Sequence, residues 1–171
     1  MARKTVDIDQ VRIRTYEPQD REVVNRLYTD GLLGGQIPPG DTGADIENID
    51  EAYLQSEMTH FWVAEYEGRV VGMVGVAEEE RHLAEIRRLR VEKPIQRQGI
   101  GIKLMEMALA FCHHHGYLKV VLDTRIERGP AMAIFEKFAF QHHRTKTVRG
   151  KELLEFYLDL YRQTKEGEGE E

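Results

Sequence analysis

The sequence predicts an α/β (α+β) fold in which a mixed, mostly antiparallel, twisted sheet of about seven strands is flanked by helices. Three strand-like segments follow one another in the middle of the chain, at residues 61–66, 70–76 and 83–92, as in an antiparallel meander. A helix and a continuous apolar strand come next, and this order is typical of a crossover that joins two parallel strands. Two more strands are predicted near the end of the chain.

The first part of the chain predicts one strand, two helices and a long loop. Residues 11–16 alternate apolar and polar side chains, which indicates a half-buried strand. Pro18 and Asp20 favour a helix start, because acidic residues interact favourably with the N-terminal end of a helix dipole. Residues 31–43 contain five Gly and two Pro and predict a loop, which at this length is often a binding element. A second helix is predicted at residues 44–57.

The middle and the end of the chain give the clearest periodicities. Glu67-Gly68 is typical of a hairpin turn between the first two strands of the meander. Apolar residues at helical spacing predict a helix at residues 99–115, with Gly116 as its C-cap. Residues 118–123 form an apolar run that predicts a strand buried on both faces. A helix near residues 130–138 and strands at 140–147 and 153–160 follow.

Length and composition indicate one globular domain. The 171 residues are 41% hydrophobic and 32% charged, so we predict a domain at residues 1–163 and a disordered acidic tail at residues 164–171. No apolar run approaches the roughly 20 residues that span a bilayer, and no signal-peptide pattern opens the chain. We therefore predict a cytoplasmic protein that does not bind a membrane.

Metal chemistry is not predicted. The single cysteine, Cys112, excludes an internal disulfide framework and multi-cysteine metal sites. His113, His114 and His115 end a predicted helix, where imidazoles favour interaction with the helix dipole over metal binding.

The charge distribution is uneven. A net charge of −6 argues against nucleic-acid binding. The segment from Arg81 to Lys103, however, contains seven basic residues and two acidic ones. Such a basic island indicates a site for a specific small anion. The alternative interpretation, that these arginines lie on solvated strand and helix faces, stays open on charge alone.

The segment after the third meander strand carries the chemistry. A short loop enters the predicted helix through Gly99 and Gly101, and glycines let a backbone approach an anion closely. Helix N-terminal N–H groups bind phosphates, and Gln96 and Arg97 add side-chain donors. The Walker motif is absent, and Leu104 stands where the dinucleotide fingerprint has its third glycine. The loop predicts a pyrophosphate site, with a glycine-rich turn that binds nothing as the alternative.

These motifs resemble the Gcn5-related N-acetyltransferase (GNAT) superfamily. Gln96-x-x-Gly99-x-Gly101 matches the family's Gln/Arg-x-x-Gly-x-Gly/Ala motif, and Leu89-x-Val91 resembles the strand end before it. Residues 133–140 resemble the family signature Leu-Tyr-Glu-Lys-Leu-Gly-Phe. The resemblance covers about residues 11–160.

The resemblance implies a fold in which acetyl-CoA, or another acyl-CoA, lies between splayed fourth and fifth strands. It implies transfer of an acetyl group to a primary amine of a small molecule or peptide by direct attack. Family members are frequently dimers, so a homodimer is expected. The implied cofactor-binding residues are Leu89, Arg90, Val91, Gln96, Arg97, Gln98, Gly99, Ile100 and Gly101.

Candidates for the catalytic base and acid come from spacing and from positions in the family signature. Glu85 lies eleven positions before Gln96, the spacing of a catalytic glutamate in the histone-acetylating branch, so it is our candidate general base. A surface glutamate paired with an arginine is the alternative. Phe135 replaces the family tyrosine that protonates the CoA thiolate, so Tyr157 and Tyr117 are the remaining candidates for the acid.

Other functions stay open. A CoA-binding sensor or interaction module with weak or no catalysis is favoured by Phe135, and a protein acetyltransferase is a third possibility. Residues 11–14, 61–65 and 122–124 also look like the branch that acetylates amino-acid conjugates and aspartate. That branch carries a membrane segment, which is not predicted here, so its substrate is not transferred.

Overall fold

The structure is a computed structural model, and it describes residues 4–33, 37, 40–125, 130–148 and 150–161. The strands are β1 (Arg12–Thr15), β2 (His60–Tyr66), β3 (Arg69–Glu80), β4 (Leu83–Val91), β5 (Lys119–Arg125), β6 (Gln141–Val148) and β7 (Lys151–Asp159). The helices are α1 (Arg21–Asp30), α2 (Ala44–Glu47), α3 (Ile49–Tyr53), α4 (Ile100–His114) and α5 (Pro130–Lys137).

The seven strands form one sheet in the order β1-β2-β3-β4-β5-β7-β6. Among the described strands, β4 and β5 are parallel and every other neighbouring pair is antiparallel. The predicted mixed, mostly antiparallel sheet with flanking helices is therefore confirmed.

Each face of the sheet has its own apolar core. Leu104 and Met105 of α4 pack with Phe135 of α5 on one face. Helices α1 and α3 cover the other face, where Val24 and Tyr53 are buried. Burial of each large apolar side chain stabilises the fold by about 1.5–3 kcal/mol, so the two layers hold β3 and β4 from both sides.

The parallel pair is short. Strands β4 and β5 pair at three positions and the ladder ends at Glu85 and Val121. Beyond Glu85, β4 continues to Val91 without pairing to β5 in the described part of the chain. Near the end of this stretch the edge of β4 that faces away from β3 pairs instead with the segment after α1, through an isolated antiparallel bridge between Arg90 and Leu32.

Three predicted elements differ from the structure. The helix predicted at residues 44–57 is wrong in extent: Asn48, with φ −135° and ψ 57°, separates α2 from α3. Strand β3 extends past its apolar part to Glu80, because backbone pairing with β4 continues. Burial of residues 118–123 on both faces is also wrong, since Leu118 is 45% exposed and precedes β5. Helices α1 and α3 pack on β2, β3 and β4 rather than on β5.

The turn predictions are confirmed. Glu67 and Gly68 have φ values of 52° and 76°, which match a two-residue hairpin turn. Gly116 follows α4 with φ 78°, as a C-cap glycine should. The predicted tail at residues 164–171, and residues 34–36 and 38–39 of the predicted loop, lie outside the described residues. No helix in the described ranges is long and apolar enough to cross a membrane.

Candidate active site

A β-bulge in β4 places charged side chains on one face of the strand. Arg88 and Leu89 together oppose Val74 of β3. Arg88 has φ 60°, the left-handed region that non-glycine residues rarely adopt. Neighbouring residues of a regular strand face opposite sides, but the extra residue brings Arg87 and Arg88 to the same side.

The first group of charges lies on the far side of the bulge. Arg88 donates from Nε to Oδ2 of Asp45 at 3.0 Å and from Nη2 to Oδ1 of Asp41 at 3.0 Å. Burial is the largest single effect and would raise the pKa of both carboxyls, but the hydrogen bonds and charge of Arg88, together with other hydrogen bonds to each carboxyl, outweigh it and leave each pKa below its usual range. Tyr53 adds a hydrogen bond from its hydroxyl to Asp45. Arg88 thereby fixes the end of the α1–α2 loop and helix α2 to β4.

Arg90 completes this group. Its side chain is buried, and Nε donates to the carbonyl oxygen of Tyr28 at 3.0 Å, at the C-terminal end of α1. Burial, followed by the charge of Arg88, lowers the pKa of Arg90 to about 10. We refer to Asp41, Asp45, Arg88 and Arg90 as the Arg88 cluster. It contains two cations and two carboxylates, so its charges balance.

A second group, the Glu85 cluster, consists of Glu79, Glu85 and Arg87. Arg87 donates to both carboxylate oxygens of Glu85, at 2.9 and 3.2 Å, and from Nη2 to Glu79 at 2.7 Å. Glu79 faces the same side because it lies two residues beyond Ala77, the residue of β3 that pairs with Glu85. The Glu85 side chain is 20% exposed.

The pKa of the Glu85 carboxyl is raised by its surroundings. Burial is the main cause that raises its pKa, to about 7, and a hydrogen bond with Glu79 acts in the same direction. Arg87 acts against both but does not outweigh them. A carboxyl with a pKa near 7 exchanges protons at neutral pH, which a general base must do. The sequence alternative, a glutamate paired with Arg87, describes the same contact and does not exclude this chemistry.

One candidate for the acid shares the face of Glu85. Glu85 pairs with Val121, and Val121 pairs with Tyr157, so the three residues form a row across the sheet. Tyr157 lies two strands, or roughly 10 Å, from Glu85. Tyr117 is buried in the other core and donates its hydroxyl to the carbonyl of Met58 at 2.5 Å. Of the two tyrosines, the geometry favours Tyr157.

Phe135, at the position of the family tyrosine, is buried. Its ring centroid lies 6.0 Å from that of Phe140 and 5.5 Å from that of Phe156. Its ring packs in the apolar core between α5 and the sheet, and it has no group that exchanges a proton.

The loop before α4 presents backbone donors. Arg97 and Gly99 have φ values of 64° and 99°, so the chain turns sharply into the helix. Among the described residues, the N–H groups from Arg97 to Ile102 have no protein acceptor. A Cβ on Gly101 would lie 2.6 Å from Cδ1 of Ile134, so glycine lets α4 and α5 pack closely here without displacing the Ile134 side chain. Free N–H groups at the N-terminus of a long helix fit a pyrophosphate.

The side chain of Gln96 has a structural task. Its Nε2 donates to the carbonyl oxygens of Leu32 at 3.0 Å and Val91 at 2.8 Å. The N–H of Val91 donates to the carbonyl of Gly31 at 3.0 Å. Both backbone groups of Val91, which the resemblance assigns to pantetheine, are thus bonded to the chain itself. Arg90 beside it forms an isolated antiparallel bridge with Leu32, and the carbonyl oxygen of Leu89 accepts from Nη1 of Arg90 at 3.2 Å.

Gln98 holds an N-terminal segment against the loop. Its Oε1 accepts from the N–H of Val6 at 2.8 Å, and its Nε2 donates to the carbonyl of Lys4. Ile8 lies beside Gly99, and Lys103 donates to the carbonyl of Ile8 at 3.0 Å. The segment before β1 therefore supports the loop, which the sequence analysis missed because the chain separation is large and no motif marks it.

Glu79, Asp41 and Asp45 are further charged residues of the site that the sequence motifs do not indicate. The available signal for Glu79 was the run of three glutamates at residues 78–80, just before the strand that carries Glu85. No local pattern links Asp41 and Asp45 to Arg88.

His115 and Cys112 contribute to packing. Within the described residues, no group of three His, Cys, Asp or Glu side chains is placed to hold a metal ion. The ring of His115 packs on Phe111 with centroids 4.0 Å apart. Cys112 is fully buried, and burial raises the pKa of its thiol to about 12, in agreement with a role in packing.

Comparisons with known proteins agree with this arrangement. The model of the acetyltransferase (GNAT) family matches residues 26–140. N-acetyltransferase 8 of Homo sapiens is 35% identical over 102 residues, covering 57% of this chain and 45% of the relative. N-acetylaspartate synthetase of Homo sapiens is 33% identical over 99 residues, covering 57% of this chain and 33% of the relative. The chain thus spans less than half the length of these relatives.

Solved structures share the fold. Ard1 from Thermoplasma volcanium superposes with a TM-score of 0.73 at 24% identity, covering 88% of this chain and 97% of that one. The yncA protein from Salmonella typhimurium, solved with its cofactor acetyl-CoA, gives a TM-score of 0.74 at 19% identity, covering 88% and 94%. At these identities the likeness concerns the fold alone.

Proposed function

The chain belongs to the acetyltransferase (GNAT) family, and from this premise we propose that it transfers an acetyl group from acetyl-CoA to a primary amine of a small molecule or peptide. The observation that carries the proposal is the position of Glu85. This carboxyl, with a pKa of about 7, lies where β4 and β5 stop pairing, on the strand that leads to the free N–H groups before α4.

The chain's own residues suit the binding of acetyl-CoA, which would supply the reactive thioester carbonyl. The N–H groups from Arg97 to Gly101 would hold the pyrophosphate. Leu89, Arg90 and Val91 would present strand backbone to the pantetheine arm once the segment at Gly31 and Leu32 has left this edge of β4. In this proposal the side chains of Gln96 and Gln98 position the loop and do not contact phosphate.

Glu85 would act as the general base. The acceptor amine is protonated at neutral pH and attacks only after it loses a proton. The Glu85 carboxylate takes that proton directly or through one water molecule, and its pKa of about 7 suits both uptake and release.

The departing thiolate needs little help. A thiol has a pKa near 8.5, so a thiolate is a tolerable leaving group without a strong acid. This reduces the consequence of Phe135. Tyr157, on the face of Glu85, is the candidate that would protonate the thiolate.

The class of amine acceptor is inferred from the name of a relative. The name of one relative, N-acetylaspartate synthetase, indicates an amino acid as the amine, which favours a small molecule over a peptide here. A CoA-binding sensor with weak or no catalysis is the second candidate function, and buried Phe135 is the observation that favours it. The cytoplasmic location and the homodimer stay predictions.

The first test is calorimetric titration of acetyl-CoA into the wild type and into Gly99→Glu. We expect saturable binding that the variant loses, because the added carboxylate lies among the N–H groups proposed to hold phosphate. Gly68→Glu is the matched control, since Gly68 also has a positive φ, 76°, but lies in the β2–β3 turn. Absence of wild-type binding would reject the proposed cofactor.

The second test is an amine panel with detection of the released thiol. Turnover with at least one primary amine is expected. Tight acetyl-CoA binding without turnover across amino acids, polyamines and peptides would favour the sensor function instead.

A further inference from the structure

Both carboxylates of the Glu85 cluster contact the same cation. Glu79 and Glu85 accept from the guanidinium of Arg87, at 2.7 Å and 2.9 Å respectively. Two like charges held close together on one guanidinium favour retention of a proton by one of them. The contact geometry therefore leads to the same result as the burial of Glu85.

The other described elements packed around Glu85 place uncharged side chains next to it. Helix α3 contributes Tyr53, which is fully buried and donates its hydroxyl to Asp45. Burial raises the pKa of Tyr53, so it remains neutral at physiological pH. Strand β5 places Val121 opposite Glu85. Among the side chains that the structure describes, the charged neighbours of Glu85 are Glu79 from β3 and Arg87 from β4.

Glu79 and Arg87 are separate from the reacting groups of the proposed transfer. We propose that they are positioning residues that set, with opposite sign, how firmly the Glu85 carboxyl holds its proton. Glu79 favours the protonated form by sharing the proton and by its negative charge. Arg87 favours the carboxylate and fixes the orientation of both its oxygens. This inference rests on the proposed role of Glu85 as the base.

Regular strand alternation brings the three side chains of the cluster together. Glu85 and Arg87 are two residues apart on β4, before the bulge at Arg88, so both face the same side of the sheet. Glu79 is two residues beyond Ala77, the residue of β3 that pairs with Glu85, and faces that side as well. The base and its two neighbours are therefore placed by the strand register.

The experiment compares Glu79→Gln and Arg87→Gln with the wild type by two measurements. The first follows the ¹³C carboxyl signal of Glu85 against pH by NMR, with the signal assigned from its loss in Glu85→Gln. The second records kcat/KM against pH. In Glu79→Gln we expect the Glu85 midpoint and the acidic limb to move about one pH unit lower, a tenfold change in proton affinity. In Arg87→Gln we expect both to move higher by at least as much.

Two further variants serve as controls for charge removal and for loss of folding. Glu80→Gln removes one negative charge next to Glu79 without touching the cluster, so its curves should overlay the wild type. Arg87→Lys keeps the charge but loses the two-oxygen contact, and its midpoint should lie between those of the wild type and Arg87→Gln. It remains informative if Arg87→Gln does not fold.

The outcomes separate the two levels of the proposal. Opposite shifts of the NMR midpoint support the tuning by Glu79 and Arg87, and parallel shifts of the kinetic limb support Glu85 as the base. An NMR shift without a kinetic shift rejects Glu85 as the base but leaves the tuning intact. Shifts of the same sign in both variants, or shifts no larger than in Glu80→Gln, overturn the tuning.

Discussion

Two charge clusters lie on the same face of β4, one on each side of the bulge, and they differ in charge balance. In the Arg88 cluster, Arg88, Asp41 and Asp45 are 13%, 16% and 17% exposed, and the pKa of each carboxyl is lowered. In the Glu85 cluster one arginine serves two glutamates, and the pKa of Glu85 is raised to about 7.

The difference shows what separates a structural ion cluster from a titratable one. Burial raises the pKa of the carboxyls in both clusters. Only in the Arg88 cluster, where cations and carboxylates are equal in number, do the hydrogen bonds and opposite charges outweigh this effect. There the charges fix the α1–α2 loop. In the Glu85 cluster the excess carboxylate retains a proton near neutral pH, which makes it a candidate for catalysis.

The largest effect is expected from removing the cation of the balanced cluster. Arg88→Met leaves Asp41 and Asp45 buried without their partner, so the free energy of unfolding should fall by about 3 kcal/mol in urea denaturation at pH 7. The deficit should shrink below pH 4, because carboxyls with lowered pKa contribute stability that is lost as they become protonated. Arg69→Met, which breaks the exposed pair with Glu92, should cost under about 1 kcal/mol. Equal losses in both variants would contradict the assigned role.

Next in size is the loss of the base. Glu85→Gln should lower kcat by about 100-fold or more, with acetyl-CoA affinity retained, because an amide cannot accept the amine proton. Thiol release measures the rate and calorimetry the affinity. Glu106→Gln, an exposed change on α4, should behave as the wild type. An unchanged rate in Glu85→Gln would remove Glu85 from the mechanism.

The third effect concerns stability against pH. The pKa of Glu85 is raised in the folded state, so the folded protein binds more protons than the unfolded chain between about pH 4.5 and 7. Its stabilising contribution is present below this window and is lost as pH rises through it. The wild type should therefore lose about 2–3 kcal/mol between pH 5 and 8 relative to Glu85→Gln. Parallel curves in urea denaturation would show that Glu85 is not perturbed.

The smallest effect tests whether the clusters are independent. Tyr53 donates to Asp45 of the Arg88 cluster and packs close to the Glu85 cluster. Tyr53→Phe should reduce the free energy of unfolding by about 1 kcal/mol, the usual effect of one lost hydrogen bond. The acidic limb of kcat/KM should stay in place. A moved limb would show that the two clusters titrate together.

Most of the fold could be predicted because its signals are local. Strand alternation, the Glu67-Gly68 turn and the Gly116 cap each depend on residues close in sequence. The glycines at positions 99 and 101 predict a phosphate-binding loop for the same reason, because they are close in sequence. The spacing of eleven positions before Gln96 indicates Glu85 as the base.

The contacts that distinguish the two clusters could not be predicted. A bulge at Arg88 or Glu79 has no residue signature, because neither position uses the glycine that marks many irregular strands. Without the bulge in β4, Arg88 would face the side opposite Glu85 and Arg87 and could not reach Asp41 and Asp45. The break at Asn48 and the contact of Gly31 with Val91 likewise depend on tertiary packing.

The bond between the Gly31 carbonyl and the Val91 N–H has a consequence for binding kinetics. A ligand arm that pairs with Val91 must wait until this bond opens, so association includes a conformational step before contact. In stopped-flow mixing with acetyl-CoA, the observed rate should level off at high concentration instead of rising linearly. The plateau would report how fast the loop leaves β4, and the fraction of molecules already open would scale the apparent affinity.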